Sequence, residues 1–246
     1  MALSQDDSND LGKQVRAAFE LDPRVASHRF PIQVVMNGQG LVLEGEVENI
    51  AAKRVALQVA QRVSGMQKVI DALKLVPSEA RTDGEIRDGF VRSLQSQTEL
   101  RNVNLRQLHK GRMEVVQETR DDWPAGSIDF TVADGVITVT GEVMSLSHKR
   151  MVEALAWWTP GCRNVLNQLE VKPAEDDNDD ELADAIRLVF EMDPMVHADQ
   201  IGIRIEDGAV TLSGVLKREE ERRLAEMDAW SVWGVKEVRN QIQLTA

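Results

Sequence analysis

The sequence of 246 residues predicts an α+β fold: three tandem αββαβ units, each a small three-stranded mixed sheet with two helices on one face. Three observations predict it. Gly45 and Gly65, Gly141 and Gly161, and Gly214 and Gly234 form three pairs, each 20 residues apart. Ahead of each pair an Asn-Gly or Asp-Gly dipeptide separates two segments of alternating polarity, the signature of a tight β-hairpin. Between the paired glycines, apolar residues recur at helical spacing. Similarity at a fixed interval is how a repeat architecture declares itself in sequence.

The elements follow in order. Each unit opens with an amphipathic helix whose anchors are four residues apart: Leu11, Val15, Phe19; Ile86, Phe90, Leu94; Leu182, Ile186, Phe190. The first strands carry Ile32, Val34, Met36; Ile128, Phe130, Val132; and Ile201, Ile203, Ile205. Asn37-Gly38, Asp134-Gly135 and Asp207-Gly208 supply the turns. The second strands run through Leu41–Glu44, Ile137–Thr140 and Val210–Ser213. The second helices bury Val55, Ala56, Val59, Ala60, Val63; then Met151, Val152, Leu155, Ala156, Thr159; then Leu224, Ala225, Ala229, Val232, with Asp228 in the remaining slot of the third stripe. The second glycine of each pair is expected to close its helix in the left-handed conformation. The last strands are Val69–Leu75, Val165–Val171 and Val238–Leu244. The expected boundaries are 8–77, 82–172, an acidic linker over 173–181, and 180–246.

The middle unit departs most. From Leu94 to Ile128 is 34 residues, against 13 from Phe19 to Ile32, so roughly 21 residues are inserted near 101–126. Arg112–Glu118 has strand character and Trp123–Gly126 reads as a turn. The insertion is either an accessory packing element or a binding loop, since long insertions are often functional.

Composition bounds the function. Net charge is −12, but residues 1–77 are neutral, 78–172 carry −2 and 173–246 carry −10. The acidic last third would repel nucleic acid, and an anionic bilayer could meet only the first two thirds. Aromatic residues are 4% with no tyrosine, too few for a base-stacking surface. No run of 18 apolar residues exists, and the first residues lack the pattern of a secretory leader, so the expectation is a cytoplasmic protein, periplasmic if the native start is missing.

The glycine phrases resemble those of the BON domain: valine–x–leucine–x–glycine, a helix, then glycine–valine–x–x–valine–x–asparagine. The third unit supplies Val210, Leu212, Gly214, Gly234, Val235, Val238 and Asn240; the second Ile137, Val139, Gly141, Gly161, Val165 and Asn167, with Cys162 in place of a valine; the first Leu41, Leu43, Gly45, Gly65 and Val69, with Met66 and Asp71 as departures. The resemblance implies a bacterial, non-catalytic, stress- or transport-associated protein that binds phospholipid or other hydrophobic ligands.

No catalytic residues are expected. His28, His109, His148 and His197 are scattered, Cys162 reads as a small apolar residue, and the acidic run 175–181 lacks the glycine of a calcium loop, so neither metal nor cofactor is expected. Two features could form a ligand or partner surface. Trp157, Trp158, Trp230 and Trp233 crowd the ends of the second helices, either filling seams between units or exposing an aromatic patch. Lys53-Arg54 and Lys149-Arg150, with Arg222-Arg223 in the third unit, recur mid-helix, either to meet headgroups or as ordinary solvated faces. The leading expectation is a lipid-binding protein; the alternative is a cytoplasmic protein–protein interaction module. Oligomeric state cannot be read from these residues.

Overall fold

In a computed structural model of the chain, residues 5–37, 40–65, 69–119 and 125–245 are described, with side chains of the first helix from Asp10 onward. Gly38, Met66, Trp123 and Pro124 therefore lie outside the described residues. The chain forms two compact units, 1–76 and 77–246, and the second holds two αββαβ repeats.

The first unit runs α1 (Gln5–Leu21), β1 (Ile32–Asn37), β2 (Gly40–Val47), α2 (Ile50–Ser64) and β3 (Val69–Leu75). β2 is central, antiparallel to β1 and parallel to β3. Asn49 caps α2 by accepting from Ala52 N at 2.9 Å, and Gly65 ends the helix at φ 64. Val15, Phe19, Leu41, Leu43, Val55, Val59 and Leu73 form a core between helices and sheet.

The middle repeat begins with α3 (Asp83–Ser96), started by a Thr82–Glu85 capping box. It continues through β4 (Val103–His109), β5 (Arg112–Gln117), β6 (Gly126–Ala133), β7 (Val136–Val143), α4 (Leu146–Trp158) and β8 (Asn164–Val171). Its sheet has five strands in the order β5-β4-β6-β7-β8, which corrects the expected three. The insertion is a hairpin, and β4 lies parallel beside β6 through Val103↔Gly126 to Gln107↔Phe130. Phe90 of α3 meets Phe130 of β6 edge to face at 5.2 Å.

The third repeat is α5 (Asp179–Met192), β9 (Ile201–Glu206), β10 (Ala209–Leu216), α6 (Glu219–Ser231) and a last strand in two pieces, β11 (Glu237–Asn240) and β12 (Gln243–Leu244), both parallel to β10. Asp134-Gly135 and Asp207-Gly208 take positive φ at both residues, as two-residue hairpins require. Each turn is held from the preceding helix. Asp83 accepts from Asp134 N (3.0 Å) and Gly135 N (2.9 Å); Asp179 accepts from Asp207 N (2.6 Å) and Gly208 N (2.9 Å).

Strand glycines mark close approaches. A Cβ on Gly141 would stand 2.1 Å from Ser127 O, and one on Gly214 2.1 Å from Gln200 O, with φ of 117 and 138. One expectation changes. Only Gly65 is a helix cap itself; α4 and α6 are capped by Thr159 and Val232, and Gly161 and Gly234 follow two residues later.

Candidate functional site

Two of the recurring basic pairs turn one member inward. Lys53 is 3% exposed and Arg150 0%. Arg54 and Lys149 are half-buried. The Lys53 Nζ donates to Asp71 Oδ1 at 2.6 Å and to Leu73 O at 2.5 Å. Burial lowers its pKa, opposed by the Asp71 carboxylate beside it.

The other repeats explain this inward turn. Their counterparts of Asp71 are Asn167 and Asn240. The Asn167 Nδ2 donates to Lys149 O (3.0 Å) and Glu153 Oε2 (3.1 Å), while its Oδ1 accepts from Leu169 N. Asn240 does the same with Arg222 O (2.9 Å), Glu226 Oε2 (3.2 Å) and Ile242 N. Asp71 still accepts from Leu73 N but has no N–H to give. Lys53 supplies the missing donor, and Leu57 stands where the other repeats have glutamate. The lysine is therefore part of a helix-to-strand lock.

Arg150 is equally committed. Its Nε donates to Trp233 O at 2.9 Å, its Nη2 pairs with Asp177 at 2.5 Å, and its guanidinium lies 5.7 Å from the Trp233 ring centre. The Lys149 Nζ is 5.5 Å from the same ring. The acidic run is thus more than a self-repelling spacer. Glu175 accepts from Leu146 N at the start of α4, Asp177 holds Arg150, Asn178 caps α5, and Asp179 holds the 207–208 turn. Three of its carboxylates thus bind backbone amides or a buried cation, and the cleft lined by Arg150 and Lys236 carries Asp177, Asp179 and Asp207 beside them.

The tryptophans divide. Trp230 is buried, and Trp157 and Trp158 pack half-buried on the middle repeat's core, together with Leu188 and Met192 of α5. Trp233 alone of the four is exposed. Trp157 and Trp158 thus fill a seam where α5 packs on the middle repeat. At the same seam lies Asp228, buried, where the other repeats have Val59 and Leu155. Burial first, then the Asp193 carboxylate, pushes its pKa up to about 8, against a hydrogen bond from Trp158.

Elsewhere, His197 Nδ1 is 2.5 Å from Glu221 Oε1. Burial raises the Glu221 pKa, and the His197 contacts outweigh it to leave the carboxyl below its usual range. Cys162 is buried and its thiol is pushed up to about 12 by that burial. Among the described residues, no three His, Cys, Asp or Glu side chains are grouped to hold a metal, and no helix is long and apolar enough to cross a membrane.

The residues from Lys110 to Val115 are all exposed; they fall in the insertion that the sequence offers as a packing element or a binding loop, without naming which of its residues would form a surface. Leu108↔Met113 and Arg106↔Val115 are cross-strand pairs, so these four side chains share one face of the β4–β5 hairpin. The clue available in the sequence was the alternation of Leu108, Met113 and Val115 beside Lys110 and Arg112.

The family model described as BON domain matches residues 6–77, 112–173 and 178–246. Among solved structures, the C-terminal domain of CdsD, a structural protein of the type III secretion system of Chlamydia trachomatis, is similar at 13% identity with a TM-score of 0.25, covering 96% of this chain and 98% of that one. The periplasmic domain of PrgH is similar at 14% identity with a TM-score of 0.24, covering 91% of this chain and 99% of that one. Among curated proteins, none matches the sequence.

Proposed function

The chain belongs to the BON domain family, three times in tandem, and from that premise we propose a non-enzymatic protein that engages phospholipid surfaces peripherally in a stress- or transport-associated role. BON domains are not a catalytic family, and phospholipid binding is what they are known for. The threefold match is the observation that carries the reading. Neither Lys53 nor Arg150 is part of it, because both are consumed inside the fold. A peripheral mode suits a chain with no membrane-crossing helix among its described residues.

The test is co-sedimentation of the full chain with vesicles of phosphatidylethanolamine and phosphatidylglycerol, and with phosphatidylcholine alone, at low and high salt. Pelleting with the anionic vesicles that weakens with salt is expected. No pelleting with either composition at any salt would remove the lipid reading and leave the protein-interaction alternative.

A further inference from the structure

The geometry points to the β4–β5 hairpin of the middle repeat as the element that enters the headgroup region of an anionic phospholipid bilayer. This rests on the phospholipid reading and assigns it a place. The hairpin is what this chain adds to the αββαβ plan: β4 and β5 have no counterpart in the sheets of the first and third repeats.

Its surface has the two ingredients of interfacial binding, apolar area and adjacent positive charge. Leu108, Met113 and Val115 are 44%, 49% and 66% exposed and stand on one face. The connecting turn is Lys110-Gly111, both at positive φ, with Lys110 exposed at the tip; Arg112, paired with His109, is exposed on the opposite face of the hairpin. The acidic residue of the hairpin, Glu114, pairs across the strands with Gln107, on the other face. It accepts from Gln107 Nε2 at 2.5 Å and lies 3.6 Å from His109 Nδ1. One hairpin thus carries three exposed apolar side chains on one face, a lysine at its tip and an arginine next to the tip on the other face, in a chain whose net charge is −12.

The hairpin is also held rigidly, so little order is lost on docking. Arg106 makes a two-pronged bond to Asp129 of β6 at 2.6 and 2.7 Å. The Gln117 side chain donates to Leu100 O and Val103 O, both at 2.9 Å. β5 is an edge of the sheet, four strands from β8, the strand from which the chain leaves for the acidic third.

The buried thiol makes a direct experiment possible. In Val115→Cys, an environment-sensitive fluorophore can be attached at position 115 while Cys162 stays protected. A blue shift on adding phosphatidylglycerol-containing vesicles is expected, with none for phosphatidylcholine vesicles. Alongside it, Met113→Asp with Val115→Asp, and Lys110→Glu with Arg112→Glu, should each weaken vesicle partitioning by about tenfold or more, with unchanged circular dichroism. If the unsubstituted chain pellets with anionic vesicles but the substituted chains pellet equally well, or the probe does not shift, the hairpin assignment is wrong and the lipid reading survives. If no chain pellets with any vesicle, both fall. If the aspartate pair instead converts a dimer to a monomer in the ultracentrifuge without changing partitioning, the hairpin edge serves a second copy and the assignment is overturned.

Discussion

The first repeat and the two that follow it hold the last strand under the second helix with opposite chemistry. In the first, Lys53 reaches from α2 to Asp71 and to Leu73 O. In the others, Asn167 and Asn240 reach from the strand back to the helix carbonyl and to a helix glutamate. The requirement common to all three is a donor in a half-buried gap between helix and strand. Whether the donor comes from above or below is free, provided the opposing charge changes with it. The mid-helix cation is accordingly part of the lock in the first repeat, whereas Arg222 of the third is half-buried and pairs with Glu219 on its own helix.

Substitutions at the lock should give the largest effects. Lys53→Ala leaves Asp71 without its counter-charge and should cost about 3 kcal/mol in urea unfolding of the full chain. Arg222→Ala, at the equivalent position of the third repeat, should stay within about 0.5 kcal/mol. Equal losses would break the comparison. It sharpens if Asp71→Asn combined with Leu57→Glu, which installs the other repeats' partners, loses less than Asp71→Asn alone.

The next effect contrasts Asp228 with its apolar counterparts Val59 and Leu155. Its folded pKa of about 8 lies above the ordinary 3.8, so between these values the folded protein holds a proton that the unfolded chain has released. Stability should therefore fall as pH rises from about 4 to about 8 and flatten above it. Asp228→Asn should flatten that slope and gain on the order of 2 kcal/mol at pH 8.5, read by thermal melts across pH. An unchanged slope would show that Asp228 is not what titrates over this range.

Smaller again is the clamp on the hairpin turns. Asp83→Ala and Asp179→Ala each remove an acceptor from two turn amides and should cost about 1 kcal/mol, similarly in the two repeats. The smallest effect is at Cys162, whose thiol should resist a water-soluble thiol reagent at pH 8 until denaturant is added. Rapid labelling of the folded chain would contradict its burial.

Where pattern is local, the sequence was readable. Asp134-Gly135 and Asp207-Gly208 specify their turns by residue type alone, and Ile86, Phe90 and Leu94 specify a helix face. Arg112–Glu118 had strand character, yet the place of the hairpin in the sheet depends on β4 pairing in parallel with β6, a contact between distant segments that no period reveals. Lys53 followed by Arg54 on a helix looks like a solvated face. Its burial follows only from Asp71, 18 residues away. Asp228 was visible as an interruption of an apolar stripe, but its partners Asp193 and Trp158 come from two other elements.

The lock has a consequence for how such a gene can be recombined. Its two halves lie on either side of the glycine that follows the helix. A crossover at that glycine between the first repeat and either later one would join a helix expecting a carboxylate to a strand offering an amide, or the reverse. Functional chimaeras that involve the first repeat should therefore exchange it whole, with seams in the connecting segments, while the second and third can trade halves.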